Sequence, residues 1–298
     1  MVRVVAIGEC MVEIARPEGA PPRLGFAGDT YNTAWYLRRC LPDGDAVDYL
    51  TALGDDPVSD EMLGAMRAAG IGTGHVPRIP GRVPGLYMIH TERGERSFTY
   101  WRETSAARCL ADDPAALAAA LEGAGWVYVS GITMAILSPE ARARLLAALG
   151  AARAAGACIA FDPNLRPRLW EDAGTLRRVV TETAGLAALV LPSFDDEAAA
   201  FGDADPGATA ARYAAAGAEV VVVKTGGGPV VTLDRGGRGT VGCEAVAPVD
   251  TTGAGDSFNA GLLAALIGGA GLEAAVRAGH AVAAQVVRQP GALVPVTV

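Results

Sequence analysis

The sequence predicts an α/β protein: a doubly wound, mostly parallel sheet covered by helices on both faces, with a small β lid. Three observations predict it. Short β-branched runs alternate with longer Ala- and Leu-rich segments along nearly the whole chain. The β-branched runs are apolar at consecutive positions, the pattern of strands buried on both faces. The segments between them open with recognisable helix caps, and parallel neighbours need such crossover helices.

In chain order, strands are expected at residues 4–8, 47–52, 126–130, 158–162, 188–192 and 220–224. Asp56 before Pro57, Asp113 before Pro114, Ser138 before Pro139 and Asp205 before Pro206 each place a capping oxygen ahead of a proline at the first helical position. Gly70 and Gly217 stand where helices should end. Two segments break the alternation. Residues 85–102 (GLYMIHTERGERSFTYWR) read as a hairpin around a charged turn containing Gly94, and residues 228–247 as two short strands joined at Arg235, Gly236 and Gly237. The first hairpin is too small to fold alone and fits a lid over an α/β cleft.

Composition narrows the function. Hydrophobic residues make up 51% of the 298, enough for a large core, and exclude wholesale disorder. Charged residues make up 19%, below the roughly 25% of an average soluble domain. A formal charge of −8 argues against nucleic acid or an anionic membrane as partner, though not against a small anionic substrate. The most apolar stretch, residues 260–272, is short, glycine-rich and closed by Glu273, unlike a membrane span. The first ten residues read as a strand rather than a secretory leader. Five scattered cysteines without a CxxC pair, and three dispersed histidines (His75, His90, His280), point away from disulfides and zinc and toward a reducing cytoplasm.

The strongest local signal is DTTGAGDSFNAG, residues 250–261. Gly253, Ala254 and Gly255 lead into a helix whose first turn holds Asp256. Such a turn exposes backbone N–H groups beside the positive end of the helix dipole, a ready anion site for a phosphoryl group in transfer. Asp256 stands where it can accept a proton from an attacking hydroxyl, and the helix end is expected to keep it ionised. Read alone, the motif is equally a capped helix and a glycine turn.

A second motif changes that balance. Residues 25–37, GFAGDTYNTAWYL, put Gly28, Asp29 and Asn32 on another turn and helix start. The two motifs, in this order, resemble the signatures of the PfkB (ribokinase-like) carbohydrate kinases. The likeness continues through IGECMVEI, PGLYMIH, FTYWRE, SGITMAILSP, FDPNLRPRLW, DDEAAAFG and VVVKTG. It implies one ribokinase-like kinase domain over residues 1–298, with lid strands near 9–16 and 85–102. It also implies that Gly28, Asp29 and Asn32 bind acceptor hydroxyls, with Asp256 as base and Gly253, Ala254, Gly255 and Arg166 holding the transferred charge. Asn164, Lys224, Thr225, Gly226 and Gly228, together with Gly253 and Gly255, are expected on the nucleotide side.

An acidic sugar needs a cation to offset desolvation of its carboxylate, whereas a neutral sugar does not. Arg102 at the lid base and Arg166 just past a strand end supply candidates, with Tyr87 and Tyr100 as hydrogen-bonding walls and Arg168 structural. Together with these cations, the resemblance implies transfer of phosphate from ATP, with Mg2+, to the terminal hydroxyl of a six-carbon sugar acid. A kinase for a neutral sugar and a non-catalytic sugar-binding regulator are the alternatives. A dinucleotide oxidoreductase is disfavoured, since no GxGxxG follows the first strand, and the loop after Lys224 is no P-loop.

The resemblance also implies a homodimer through the lid, leaves open a monovalent cation near Asp250, and assigns no side chain as a direct metal ligand. The chain departs from the family at Ser193 and Asp196, where an asparagine and a glutamate linked to magnesium are usual, with Glu197 following; Pro163 and Leu165 also differ. His280 is read as packing near the nucleotide base. Trp35, Trp126 and Trp170 are read as core or helix-packing residues, and the cysteines as small buried hydrophobes.

Overall fold

Residues 1–16, 21–92 and 95–297 are described by the computed structural model. The strands are β1 (Arg3–Ile7), β2 (Met11–Arg16), β3 (Arg23–Ala27), β4 (Ala46–Leu50), β5 (Leu86–Glu92), β6 (Glu95–Trp101), β7 (Trp126–Ser130), β8 (Cys158–Asp162), β9 (Leu189–Val190), β10 (Val220–Val223), β11 (Val230–Asp234) and β12 (Gly237–Val241). Eight form one sheet in the order β12-β11-β10-β9-β8-β7-β1-β4. It is parallel from β4 to β10, with β11 and β12 added antiparallel at one edge.

Consecutive apolar residues produce two cores. Val5, Ile7, Val127, Val129, Ile159, Phe161, Val221 and Val223 point to one face, and Val4, Ala6, Val47, Tyr49, Tyr128, Ala160 and Val222 to the other. Side chains alternate along a strand, so only an apolar run covers both faces. The four Pro-preceding caps behave as read: Asp56, Asp113, Ser138 and Asp205 each accept from backbone N–H groups two or three residues on. Gly70 and Gly217 adopt positive φ just past their helices.

The second sheet has four strands, β3-β2-β5-β6. The reading of strands near 9–16 and 85–102 missed β3, a five-residue alternation directly before the Gly28 turn. The charged turn at Gly94 lies outside the described residues. In this sheet Glu13, Tyr87 and Tyr100 are registered across β2, β5 and β6 and share a face. The opposite face carries Leu24, Phe26 and Trp101, with Leu24 and Trp101 more than half exposed. Among the described residues no helix is long and apolar enough to cross a membrane.

Candidate active site

The parallel strands deliver their functional groups at their carboxyl ends, where ligands bind in open α/β sheets. Glu9 follows β1, Asp162 ends β8 and Lys224 follows β10. The helices Asp29–Cys40 and Ala254–Ile267 pack against each other, and this brings the two signature motifs together. Gly28 caps the first helix rather than Asp29, in extended backbone. A Cβ on Gly28 would sit 2.2 Å from the Glu9 carbonyl oxygen, so only glycine lets the turn approach β1 this closely. The Asp29 carboxylate is thereby left for other work.

That work is visible in the hydrogen bonds. Asn32 Nδ2 donates to Asp256 Oδ2 at 2.8 Å, and Asn164 Nδ2 donates to Asp29 Oδ2 at 2.8 Å. Asn164 is the one non-glycine residue with positive φ (34°) among those described, and its own N–H donates to Asp162 Oδ1 at 3.1 Å. Backbone strain of this kind costs on the order of 1–3 kcal/mol and persists where the surroundings impose it. Asn164, expected on the nucleotide side, directs its side-chain amide to Asp29.

Gly253 starts the second helix with φ +76°, and a Cβ there would lie 2.6 Å from the Ala292 carbonyl oxygen. The Ala254 N–H donates to Thr251 O, which leaves the Gly255 and Asp256 N–H groups at the helix start for an anion. The expectation that this helix keeps Asp256 ionised fails. Burial, followed by the neighbouring Asp29 charge, pushes its carboxyl up to about 8, against the opposing pull of Asn32 and Lys224. Desolvation here outweighs the dipole, whose effect is typically below about 1 kcal/mol.

A cavity of about 680 Å³ opens beside this turn, within the usual size of a small-ligand site. Thr225, Gly226 and Gly228 line one side, Ala254 and Gly255 its end, and Phe258, His280 and Ala284 its apolar wall. His280 meets Phe258 edge-on at 5.2 Å, and its Nε2 is buried without a partner; burial lowers its pKa. Lys224 lines the same cavity, yet its Nζ donates to Asp162 Oδ2 at 2.9 Å and Asn259 Oδ1 at 3.2 Å. Lys224, expected near the phosphates, thus borders the cavity with its ammonium held by Asp162 and Asn259.

Arg166 is half exposed beyond β8 and pairs with Asp196 at 3.3 Å; burial raises the Asp196 pKa while Arg166 opposes the rise. Glu197 faces inward, fully buried against Arg212 (2.7 Å) and Tyr213 (2.9 Å), and burial pushes its carboxyl up to about 7. Asp196, not Glu197, is therefore the carboxylate that faces Arg166, Asp162 and Lys224. Among the described residues no group of three or more His, Cys, Asp or Glu side chains is arranged to hold a metal ion.

In the lid, Tyr87 donates to Glu13 Oε2 and its ring lies 5.8 Å from that of Tyr100. Burial and then the Glu13 charge hold the Tyr87 phenol well above its ordinary value. Arg102 donates to the buried Glu9 carboxylate, a residue that sequence reasoning passed over. Its only sequence signal was a charge directly after an apolar strand. Arg102, Tyr100 and Trp101 border a second cavity of about 520 Å³ at the lid base, which Asp29, Asn32 and Asp256 do not line.

The pfkB family carbohydrate kinase model matches residues 1–297. The chain is 38% identical over 302 residues to 2-dehydro-3-deoxygluconokinase of Escherichia coli K12, covering 98% of this chain and 97% of that one. A PfkB protein from Polaromonas sp. JS666 superposes with a TM-score of 0.87 at 29% identity, over 97% of this chain and 96% of the other. A double-mutant fructokinase from Vibrio cholerae O395, in fructose-, ADP- and potassium-bound form, shares the fold at a TM-score of 0.85 and 24% identity, over 98% and 94%. With both signature turns meeting at Asp256, the chain belongs to the pfkB family of carbohydrate kinases.

Proposed function

We propose that the protein transfers the γ-phosphoryl group of ATP to the 6-hydroxyl of 2-keto-3-deoxygluconate, giving the 6-phospho acid and ADP. One observation carries the reading. Asp256 touches Asn32 from the acceptor signature and sits one residue from Gly255, which lines the nucleotide-sized cavity. The acid substrate is supported by the likeness to 2-dehydro-3-deoxygluconokinase over almost the full chain.

In this reading Asp29, held by Asn164, and Asn32 orient the acceptor hydroxyls. The Asp256 carboxylate takes the proton from the 6-hydroxyl as the oxygen bonds to the γ-phosphorus and the bond to the β,γ-bridging oxygen breaks. A base titrating near 8 matches this task better than an ordinary aspartate. The Gly255 and Asp256 N–H groups and Arg166 stabilise the charge in transfer. The Arg102 guanidinium, braced by Glu9, takes the acceptor carboxylate, and Tyr87 and Tyr100 wall the acceptor under the lid, excluding water. Magnesium bound with the nucleotide neutralises phosphate charge. Asp196 would hold one of its waters, since Glu197 is sealed under Arg212 and Tyr213. A monovalent cation near Asp250 belongs to the same reading: its buried carboxylate accepts from Thr252 N and Gly291 N, joining the two loops beside the turn.

Pairing of two lids through the face bearing Leu24 and Trp101 completes the proposal; sedimentation of a monomer at micromolar concentration would remove that part. The activity is tested with ATP, Mg2+ and a panel of keto-acids and neutral sugars, read by product mass. Phosphorylation of 2-keto-3-deoxygluconate is expected. Turnover confined to fructose, ribose or a nucleoside would replace the substrate while keeping the kinase.

A further inference from the structure

Behind Asp256 lies a closed polar cluster that no step above uses. Asn259 follows Asp256 by three residues and so projects from nearly the same side of the helix. It is fully buried, and both sides of its amide are engaged. Its Nδ2 donates to Asp162 Oδ2 at 2.6 Å and Tyr128 Oη at 3.0 Å, while its Oδ1 accepts from Lys224 Nζ at 3.2 Å. Lys224 closes the triangle on Asp162 at 2.9 Å. A Cβ built on Gly255 would lie 3.9 Å from Lys224 Nζ, so the ammonium sits directly beneath the anion-binding turn. The cluster thus joins the ends of β8 and β10 to the second turn of the Asp256 helix.

We propose that Asp162, Lys224 and Asn259 form one positioning unit, which pins the Asp256 helix to the sheet and presents a single buried positive charge to the carboxylates of the cleft. The proposal rests on Asp256 as the reaction's base. Lys224 then acts through Asp256 and the turn, not as a ligand of the phosphates. The groups facing Asp256 from the packed elements are Asp29, Asn32 and Tyr36 on the Asp29 helix, Tyr128 on β7, Asp162 on β8 and Lys224 after β10. Of these, Lys224 is the one cation, and it favours the ionised carboxylate, whereas Asp162 opposes it.

The two halves of the pair therefore predict opposite effects. Asp162→Asn should move the acid limb of the kcat/KM profile to lower pH by about one unit, and Lys224→Met should move it up by a similar amount. A merely structural loss would lower the plateau without splitting the limbs. Thermal melts check folding, and Asp162→Asn/Lys224→Met removes both charges at once, so that neither is left buried alone; its limb should fall between those of the single variants. Carbon-13 NMR titration of Asp256 in the acceptor-free protein reads the same shifts whatever the acceptor is. Absence of keto-acid turnover by the wild type would thus sink the substrate assignment and leave this proposal testable. Shifts of the same sign in both single variants, or none, would overturn it. So would a tenfold rise in KM for ATP in Lys224→Met with the limb unmoved, which would return Lys224 to the phosphates.

Discussion

Asn32 and Asp256 are 224 residues apart in sequence and share a 2.8 Å hydrogen bond. The bond joins the two signature motifs. The Asn32 donor favours the ionised form of a carboxyl that burial and Asp29 otherwise push up to about 8.

Asp256→Asn should lower kcat by about 10²–10⁴-fold, the usual worth of a general base. Nucleotide binding should stay within about twofold by calorimetry, because the N–H groups of the turn are backbone. Near-normal turnover in this variant would remove the base assignment.

The same residue should imprint the pH dependence of stability. A free aspartate releases its proton near 3.8, whereas the folded carboxyl holds it up to about 8. Between these values the folded state binds more protons than the unfolded chain, so the contribution to stability is lost as pH rises through the window. The wild-type Tm should fall from pH 5 to pH 8 more steeply than that of Asp256→Asn. Parallel curves would show that Asp256 titrates normally.

Asn32→Ala removes the donor that favours ionised Asp256. The acid limb of kcat/KM should move toward higher pH by about 0.5–1 unit. KM for the acceptor should rise at the same time, as a hydroxyl partner is lost. An unmoved limb would mean that the hydrogen bond has no electrostatic role.

Arg102→Gln should raise KM for the keto-acid at least about tenfold while sparing a neutral sugar. It also leaves Glu9 buried without its cation, which typically costs about 3–5 kcal/mol. Glu9→Gln/Arg102→Gln should recover most of the Tm but none of the acid preference. Equal KM losses for acid and neutral acceptors would count against a carboxylate at Arg102.

Gly253→Ala meets both a positive φ and a carbonyl oxygen 2.6 Å from the new methyl group. A loss of about 1–3 kcal/mol in chemical denaturation is expected, along with reduced kcat as the turn is displaced. Wild-type behaviour would show that the loop of Ala292 moves aside freely.

The legible features were local ones. Six apolar runs became strands of one sheet, although the run at 188–192 forms only Leu189–Val190. Four caps before proline held because a cap needs only its own N–H groups two or three residues on. β3 escaped notice because its residues, Arg23–Ala27, run straight into the glycine turn that dominates the segment. The partners of Lys224 and Asn164 come from distant strands and helices, so the hydrogen bonds of both side chains were not legible in contiguous residues.

By itself the sequence determined the element types, the doubly wound architecture, the two glycine turns and the presence of an aspartate at a helix start, since each is written in contiguous residues. Only tertiary structure decided that Asn32 meets Asp256, that Glu9 pairs with Arg102, and that burial pushes the Asp256 carboxyl up. Desolvation and Coulomb interactions depend on separations in space, and helix packing, not spacing along the chain, sets those separations.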